Sequence, residues 1–245
     1  DWSSDVCSSD LTMQLMALRM RRKGIQVFIV APLKGHEFHR ACSNIGGAFI
    51  QISPASPNCI NVMEIRQADR SVDEQLDGST VEHSMLAAKI QRLHIFFSLL
   101  IPDMNHEERQ LLDEAMIRTY AKKGITHDNE TLRDPKHPER YREMPILGDL
   151  MEALLAQGIP EADRVAQALD LYVNGSLNFF NHRTTVDIRN RLVCFDIKGL
   201  GKNLKKPGML IVQDAVWNTV TINRAIGRST WYFVDEFHLL LKEDR

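Results

Sequence analysis

The sequence lacks the features that define several classes of protein. It has 4 cysteines in 245 residues, with no C-x-x-C spacing and no histidines at metal-site intervals. This argues against structural zinc and favours free thiols in a reducing compartment. The longest apolar stretch, residues 94–101, is far shorter than the roughly 20 residues that a membrane-spanning helix needs. Neither sign of charge dominates, since the formal net charge is -2, so no overall basic field would draw the whole molecule to nucleic acid or anionic lipid.

What is present is the composition of a globular protein, with 44% hydrophobic, 25% charged and 7% aromatic residues. In the first third of the chain, segments with the periodicity of a helix alternate with apolar segments typical of strands. A helix is predicted over residues 12–23, a buried strand over 25–30, a helical turn over 37–45 and a second strand over 48–52. Helix and strand alternating at this spacing predict an α/β fold, with a parallel sheet and crossover helices.

Between residues 81 and 174 the pattern is helical throughout. Four amphipathic segments follow one another; Asn105 caps the second with Glu108 three residues on, Pro145 stands at the start of the third, and residues 158–160 turn into the fourth. Strand character returns at residues 191–197, followed by a helix over 207–227 and a final strand over 231–235. We therefore predict a first part of an α/β core over residues 12–80, an all-helical insert over 81–174 and a second part of the core over 175–245.

Two adjacent carboxylates end the final predicted strand. Four apolar residues, Trp231-Tyr232-Phe233-Val234, run directly into Asp235 and Glu236. In parallel α/β sheets, ligands bind at the carboxyl ends of the strands. In P-loop NTPases the first acid at such a position holds Mg²⁺, commonly through water, and the next orients or deprotonates the attacking water. A polar cap on a loop is the structural alternative.

The phosphate-binding loop that should accompany such a pair has no match in the 245 residues. Its pattern is G-x-x-x-x-G-K-[ST]. The nearest candidate, residues 196–203, has Asp196 where the first glycine belongs and Asn203 where a hydroxyl belongs. We interpret this segment as a basic turn.

Several segments resemble, in sequence and in order, segments of conjugal-transfer ATPases. They are Pro32-Leu33-Lys34-Gly35-His36-Glu37-Phe38; Ile45-Gly46-Gly47-Ala48-Phe49-Ile50-Gln51-Ile52-Ser53-Pro54 with Ile60-Asn61-Val62-Met63-Glu64-Ile65; Gly175-Ser176-Leu177-Asn178-Phe179-Phe180-Asn181; and Phe233-Val234-Asp235-Glu236-Phe237-His238. The chain resembles the VirB-type ATPase of type IV secretion systems, in the branch found on integrative conjugative elements. The resemblance covers residues 12–245.

The resemblance implies a RecA-like P-loop NTPase core interrupted by an all-helical insert, in agreement with the periodicity. It implies a motor subunit that hydrolyses ATP with Mg²⁺ to power conjugative DNA transfer or type IV secretion. It assigns Asp235 as the Mg²⁺-associated acid, acting through water, and Glu236 as the catalytic carboxylate of a Walker B motif. It also implies a homo-oligomer, usually a hexamer, peripheral to the cytoplasmic face of the inner membrane and held there by other secretion components.

Other residues are weaker candidates. Glu37 follows the strand end at residue 31 and would face the nucleotide, with a solvated loop carboxylate as the alternative. Ala31 stands where the commoner family pattern has Asp, which leaves a polar contact at that strand end in doubt. Asn178, Asn181 and His182 would line the site or a subunit interface, with a turn stabilised by Asn side chains as the alternative. Two basic patches would contact DNA phosphates, with solvated faces as the alternative; they are Arg19 to Lys23, and Lys198, Lys202, Lys205 and Lys206.

The two ends of the chain suggest a fragment. Residues 1–11 resemble the conceptual translation of a sequencing adapter, with a natural Ser/Asp-rich tail as the alternative, and their pattern indicates neither a signal peptide nor a helix. The family's P-loop would fall near Ser9 and Asp10, and its later motifs would follow Arg245. We therefore expect the chain to be a fragment of a longer protein, truncated at both termini.

Two rival functions stay open at this stage. A DNA translocase of the related HerA and FtsK type shares the same core but moves duplex DNA itself. A non-catalytic interaction module would use the helical insert to dock a secretion partner, and Asp235 and Glu236 would then only cap a strand. DNA-stimulated ATPase activity favours the first alternative, and a gene without a P-loop favours the second.

The missing phosphate-binding motif predicts that residues 1–245 alone neither hydrolyse ATP nor bind it stoichiometrically. Backbone N–H groups and the lysine of a P-loop supply most of the electrostatic stabilisation of the transferred phosphoryl group. Calorimetric titration of the purified chain with Mg-ATP checks this expectation, and a one-to-one binding isotherm would contradict it.

Overall fold

The computed structural model describes residues 8–32, 35–66 and 84–235. The chain divides into two compact units. One consists of Asp1–Asn58 together with Val186–Arg245, and the other of Cys59–Thr185.

The helices and strands follow one another along the chain in the order that the α/β prediction requires. They are α1 (Ser8–Arg22), β1 (Gln26–Ala31), α2 (Gly35–Asn44), β2 (Ala48–Gln51), α3 (Met85–Leu100), α4 (His106–Lys122), α5 (Leu147–Leu155), α6 (Pro160–Val173), β3 (Leu192–Asp196), α7 (Lys202–Ala225) and β4 (Thr230–Val234). Short 3-10 turns lie at Asn129–Leu132 and Asn178–Phe180.

The first unit is built on a four-stranded, all-parallel sheet with the strand order β2-β3-β1-β4. The residues of β3 are all buried, as are those of β1 after Gln26. Such continuous apolar strands are typical of a parallel sheet that is covered on both faces. The predicted α/β class with a parallel sheet is therefore confirmed.

The core of this unit packs α1 and α2 against alternate residues of the two central strands. Ala17 of α1 and Phe38 and Cys42 of α2 share one buried cluster with Val27 and Ile29 of β1. Successive strand residues point to opposite faces, so alternate residues line one face. This cluster fixes the first turn of α2 relative to the ends of the strands.

Two helix starts differ from the sequence prediction. The prediction that residues 1–11 contain no helix is wrong for Ser8 to Leu11, because α1 begins at Ser8; serine and aspartate favour the first turn of a helix, where free N–H groups need acceptors. The helix predicted from residue 207 begins instead at Lys202 and continues through Pro207. A proline this close to the N-terminus removes only one backbone hydrogen bond of a 24-residue helix.

The second unit contains the four predicted helices, α3 to α6. The predicted capping box is present: the Asn105 side chain accepts a hydrogen bond from the Glu108 N–H at 2.9 Å, and the Glu108 carboxylate accepts one from the Asn105 N–H at 2.8 Å. The predicted turn at residues 158–160 leads into α6, with Pro160 in its first turn, whereas Pro145, predicted at the start of the third helix, lies just before Ile146, the N-cap of α5. Among the described residues, the structure contains no helix with the length and apolarity that crossing a membrane requires.

Candidate functional site

The parallel ladder brings the carboxyl ends of three strands to one edge of the sheet. Ala31 of β1 pairs with Asp196 of β3, and Val30 pairs with Val234 of β4. The Asp235 N–H extends the ladder by donating a hydrogen bond to the Val30 carbonyl at 2.9 Å. Asp196 and Asp235 therefore end the strands on either side of β1, about 10 Å apart by ordinary strand spacing. We call this edge, with Gly35, Glu37, Asp196 and Asp235, the carboxyl edge.

Asp235 occupies the position predicted for it, directly after β4. Its side chain is only 7% exposed, although it belongs to a turn. A carboxylate is costly to bury unless a partner compensates for the lost water. Glu236, the other predicted member of the pair, lies outside the described residues.

Asp196 is a second buried carboxylate at this edge, and sequence reasoning did not select it. It is 6% exposed, and its Oδ1 accepts a hydrogen bond from the Lys198 N–H at 2.9 Å. The signal was present in the sequence, because Leu192-Val193-Cys194-Phe195 run into Asp196 as the last strand runs into Asp235. In the phosphate-binding pattern, however, Asp196 only stands where the first glycine belongs, which makes it a mismatch.

The first residue of α2 packs directly against Asp196. A Cβ atom placed on Gly35 would lie 2.3 Å from the Asp196 Cγ and 2.5 Å from its Oδ1. Only glycine can make this approach without displacing the carboxylate. The carboxylate thus lies against the N-terminus of a 10-residue helix, where the helix dipole favours negative charge.

Glu37 lies in the first turn of α2, two residues after Gly35. The residue is half-buried, and its Oε2 is buried without a hydrogen-bond partner among the residues that the structure describes. A buried carboxylate oxygen in this condition is unfavourable on its own. The structure therefore places Glu37 at the carboxyl edge with one oxygen still able to accept a bond.

The charge of the carboxyl edge acts on a neighbouring thiol. The pKa of Cys194 is raised well above its ordinary value, first by a hydrogen bond with Cys42, then by burial and by the charges of Cys42, Asp196 and Asp235. Both carboxylates therefore lie close enough to Cys194 to oppose its ionisation.

The donor set at this edge fits Mg²⁺ shared with phosphates better than a metal held by protein alone. The described parts of the chain contain no group of three or more His, Cys, Asp or Glu side chains that could hold a metal ion. Mg²⁺ commonly binds through one or two carboxylates, several waters and substrate phosphates. Asp235 and Asp196 are the buried carboxylates at this edge.

The remaining candidates have structural roles or lie apart from one another. Asn181 accepts a hydrogen bond from the Gly148 N–H at 2.7 Å and donates one to the Val173 carbonyl at 3.3 Å, so its amide joins α5 to the end of α6. Asn178 and His182 are exposed.

The two predicted basic patches lie at opposite edges of the sheet. Arg19 to Lys23 precede the amino end of β1, whereas Lys198 and Lys202 follow the carboxyl end of β3. They do not form one continuous surface.

Comparisons with solved structures give a clear likeness, whereas comparisons with family models and with curated proteins give none. No protein-family model matches the chain, and no curated protein matches it. The structure is similar to that of VirB4 of Thermoanaerobacter pseudethanolicus, with a TM-score of 0.77 and 24% sequence identity, over 96% of this chain and 83% of that chain.

The chain has the fold of VirB4. At this level of identity the likeness establishes the fold and not the chemistry. It agrees with the RecA-like α/β core and helical insert that the sequence predicts.

The Gly35 contact predicts that Gly35→Ala destabilises the protein by roughly 1–3 kcal/mol, because the new Cβ overlaps the Asp196 carboxylate. Gly148→Ala is the matched control in the first turn of α5, where a Cβ would come no closer than 3.4 Å to a neighbouring atom. Since Ala favours a helix over Gly, the control should be neutral or stabilising by up to about 1 kcal/mol. Equilibrium unfolding in urea measures both, and equal stabilities for the two variants would show that Asp196 moves aside without cost.

Proposed function

We propose that this chain belongs to an ATP-hydrolysing motor subunit that powers conjugative DNA transfer or type IV secretion. One observation supports the proposal above all: a chain with the VirB4 fold carries a buried aspartate, Asp235, at the carboxyl end of β4. Ligands of open parallel sheets bind at that edge. The sequence motifs that resemble conjugal-transfer ATPases supply the expected ligand, Mg-ATP.

Asp235 is proposed to hold Mg²⁺ through a water molecule. When bound, the ion would neutralise charge on the β- and γ-phosphates of ATP. The hydrogen bond from the Asp235 N–H to Val30 fixes the backbone of this residue as if the strand continued. The carboxylate is then held in place before the nucleotide arrives, so that little ordering is needed on binding.

Glu236 is proposed to accept a proton from the attacking water. It follows Asp235 directly in the sequence, and a general base of this kind contributes about 10²–10⁴-fold to a rate. Glu37 is proposed to face the nucleotide from α2, because the buried Oε2 has no partner among the described residues. An N–H or O–H donor on the ligand, or a bound water, would satisfy it.

The proposed motor acts as a homo-oligomer, a hexamer in the family that the sequence resembles. Its other partners would be type IV secretion components at the inner membrane, with this protein peripheral to the cytoplasmic face. In the described first unit, the separation of the two basic patches at opposite sheet edges disfavours one extended surface for duplex DNA. The secretion motor is therefore preferred to a HerA- or FtsK-type translocase.

In the full-length product of the gene, Glu236→Gln should lower ATP turnover at least about 100-fold and leave ATP binding intact. The amide keeps the shape of the side chain but cannot take the proton. Glu152→Gln, at an exposed position of α5, is the matched control and should retain full activity. Steady-state phosphate release and equilibrium binding of a fluorescent ATP analogue give the two readouts, and undiminished turnover in Glu236→Gln would refute the assigned base.

A further inference from the structure

The helical unit contains a cavity of about 570 Å³ between α3 and α4. This volume lies within the range of roughly 300–1,000 Å³ that is typical of small-molecule sites. The lining side chains that carry polar groups are His94 and Ser98 of α3 and His106, Arg109, Gln110 and Asp113 of α4. The cavity belongs entirely to the second unit, so it is separate from the carboxyl edge of the sheet.

The helix geometry explains why these side chains converge. His94 and Ser98 are four residues apart, and so lie on one face of α3. The α4 residues at 106, 109, 110 and 113 follow the same helical spacing and form one stripe. The capping box of Asn105 and Glu108 fixes the first turn of α4, and the buried Met104 closes the cavity beside it.

One pair of side chains in the cavity is already joined. His94 Nε2 lies 2.7 Å from Asp113 Oδ1, which connects α3 to α4. Asp113, the only carboxylate that lines the cavity, is therefore paired with the His94 imidazole.

The remaining polar groups are mostly donors without partners in the protein. The cavity is open to solvent, and the side chains of His106, Arg109 and Gln110 are exposed; among the described residues none of the three has a hydrogen-bond or ion-pair partner in the protein. Arg109 alone offers five N–H donors in a planar fork, a shape that matches the oxygens of phosphate. The cavity thus offers a guanidinium, an amide and imidazoles to a ligand that is rich in acceptors.

We propose that this cavity is a binding site for a small phosphate monoester. The guanidinium of Arg109 binds the phosphate oxygens, the imidazole of His106 and the amide of Gln110 add hydrogen bonds, and the His94–Asp113 pair forms the opposite wall. A dianionic phosphate suits this donor set better than a single carboxylate, because it presents three oxygens to the donors of three α4 side chains.

Two other uses of the same residues do not agree with the structure. A metal site is not supported, since no cluster of three or more metal-ligating side chains occurs in the described part of the chain. A serine nucleophile is not supported either, because the Ser98 hydroxyl donates its proton to the Ile95 carbonyl at 2.7 Å rather than to His94. Binding of a small ligand is the function that remains consistent with these side chains.

Histidine NMR of the full chain tests the proposal directly. The ¹⁵N-labelled protein is titrated with phenyl phosphate and, separately, with inorganic phosphate at about pH 8, where both ligands are largely dianionic. Ionic strength is held constant with sodium chloride. The imidazole signals of His94 and His106, identified by His→Gln variants, should shift along one saturable curve, while the signal of His39 in α2 stays unchanged. Tighter binding of phenyl phosphate than of inorganic phosphate would identify an organic phosphate as the ligand.

Arg109→Gln supplies the decisive comparison, because it removes the guanidinium and keeps a polar side chain. It should weaken phosphate binding about tenfold or more. Arg118→Gln is the matched control on the same helix, where the arginine pairs with Glu114 outside the cavity. Equal affinities for Arg109→Gln and Arg118→Gln, or a uniform shift of all histidine signals, would overturn the proposal. Binding of a single-stranded oligonucleotide that needs Arg109, without binding of phenyl phosphate, would also overturn it in favour of a nucleic-acid site.

Discussion

The parallel pairing of β1 with β3 and β4 is the constraint on which the rest of the structure depends. Parallel strands that share a register must end at the same edge, so residues almost 40 positions apart are brought within two strand spacings of each other. Asp196 and Asp235 become neighbours of β1 for this reason alone. The buried residues of the two central strands hold that arrangement, because a slip in register would expose an apolar core.

The carboxyl edge then concentrates negative charge against one helix start and one buried thiol. Gly35 allows the backbone of α2 to reach the Asp196 carboxylate, and the dipole of α2 favours the charge that it meets there. This contact also sets the position of Glu37 in the first turn of the helix.

Most of the fold could be predicted from the sequence, because strand periodicity and helix capping depend on residues that are close together along the chain. Strand periodicity, the capping residues Asn105 and Glu108, and Pro160 each act within a few residues, and the corresponding elements are present. Asp235 was found because a buried strand ends in it. Asp196 carries the same signal but depends on a long-range register that spacing along the chain does not reveal. The close approach of Gly35 and the cavity between α3 and α4 depend on packing, which local patterns do not specify.

The position of the metal tests the central claim most directly. Crystals of the full-length gene product, grown with Mn²⁺ and a non-hydrolysable ATP analogue, would locate the ion by its anomalous scattering. The account predicts a Mn²⁺ peak within roughly 5 Å of the Asp235 carboxylate, at the carboxyl edge, since one water separates them. A nucleotide-bound ion at any other place in the protein, with Asp235 remote from it, would contradict the account.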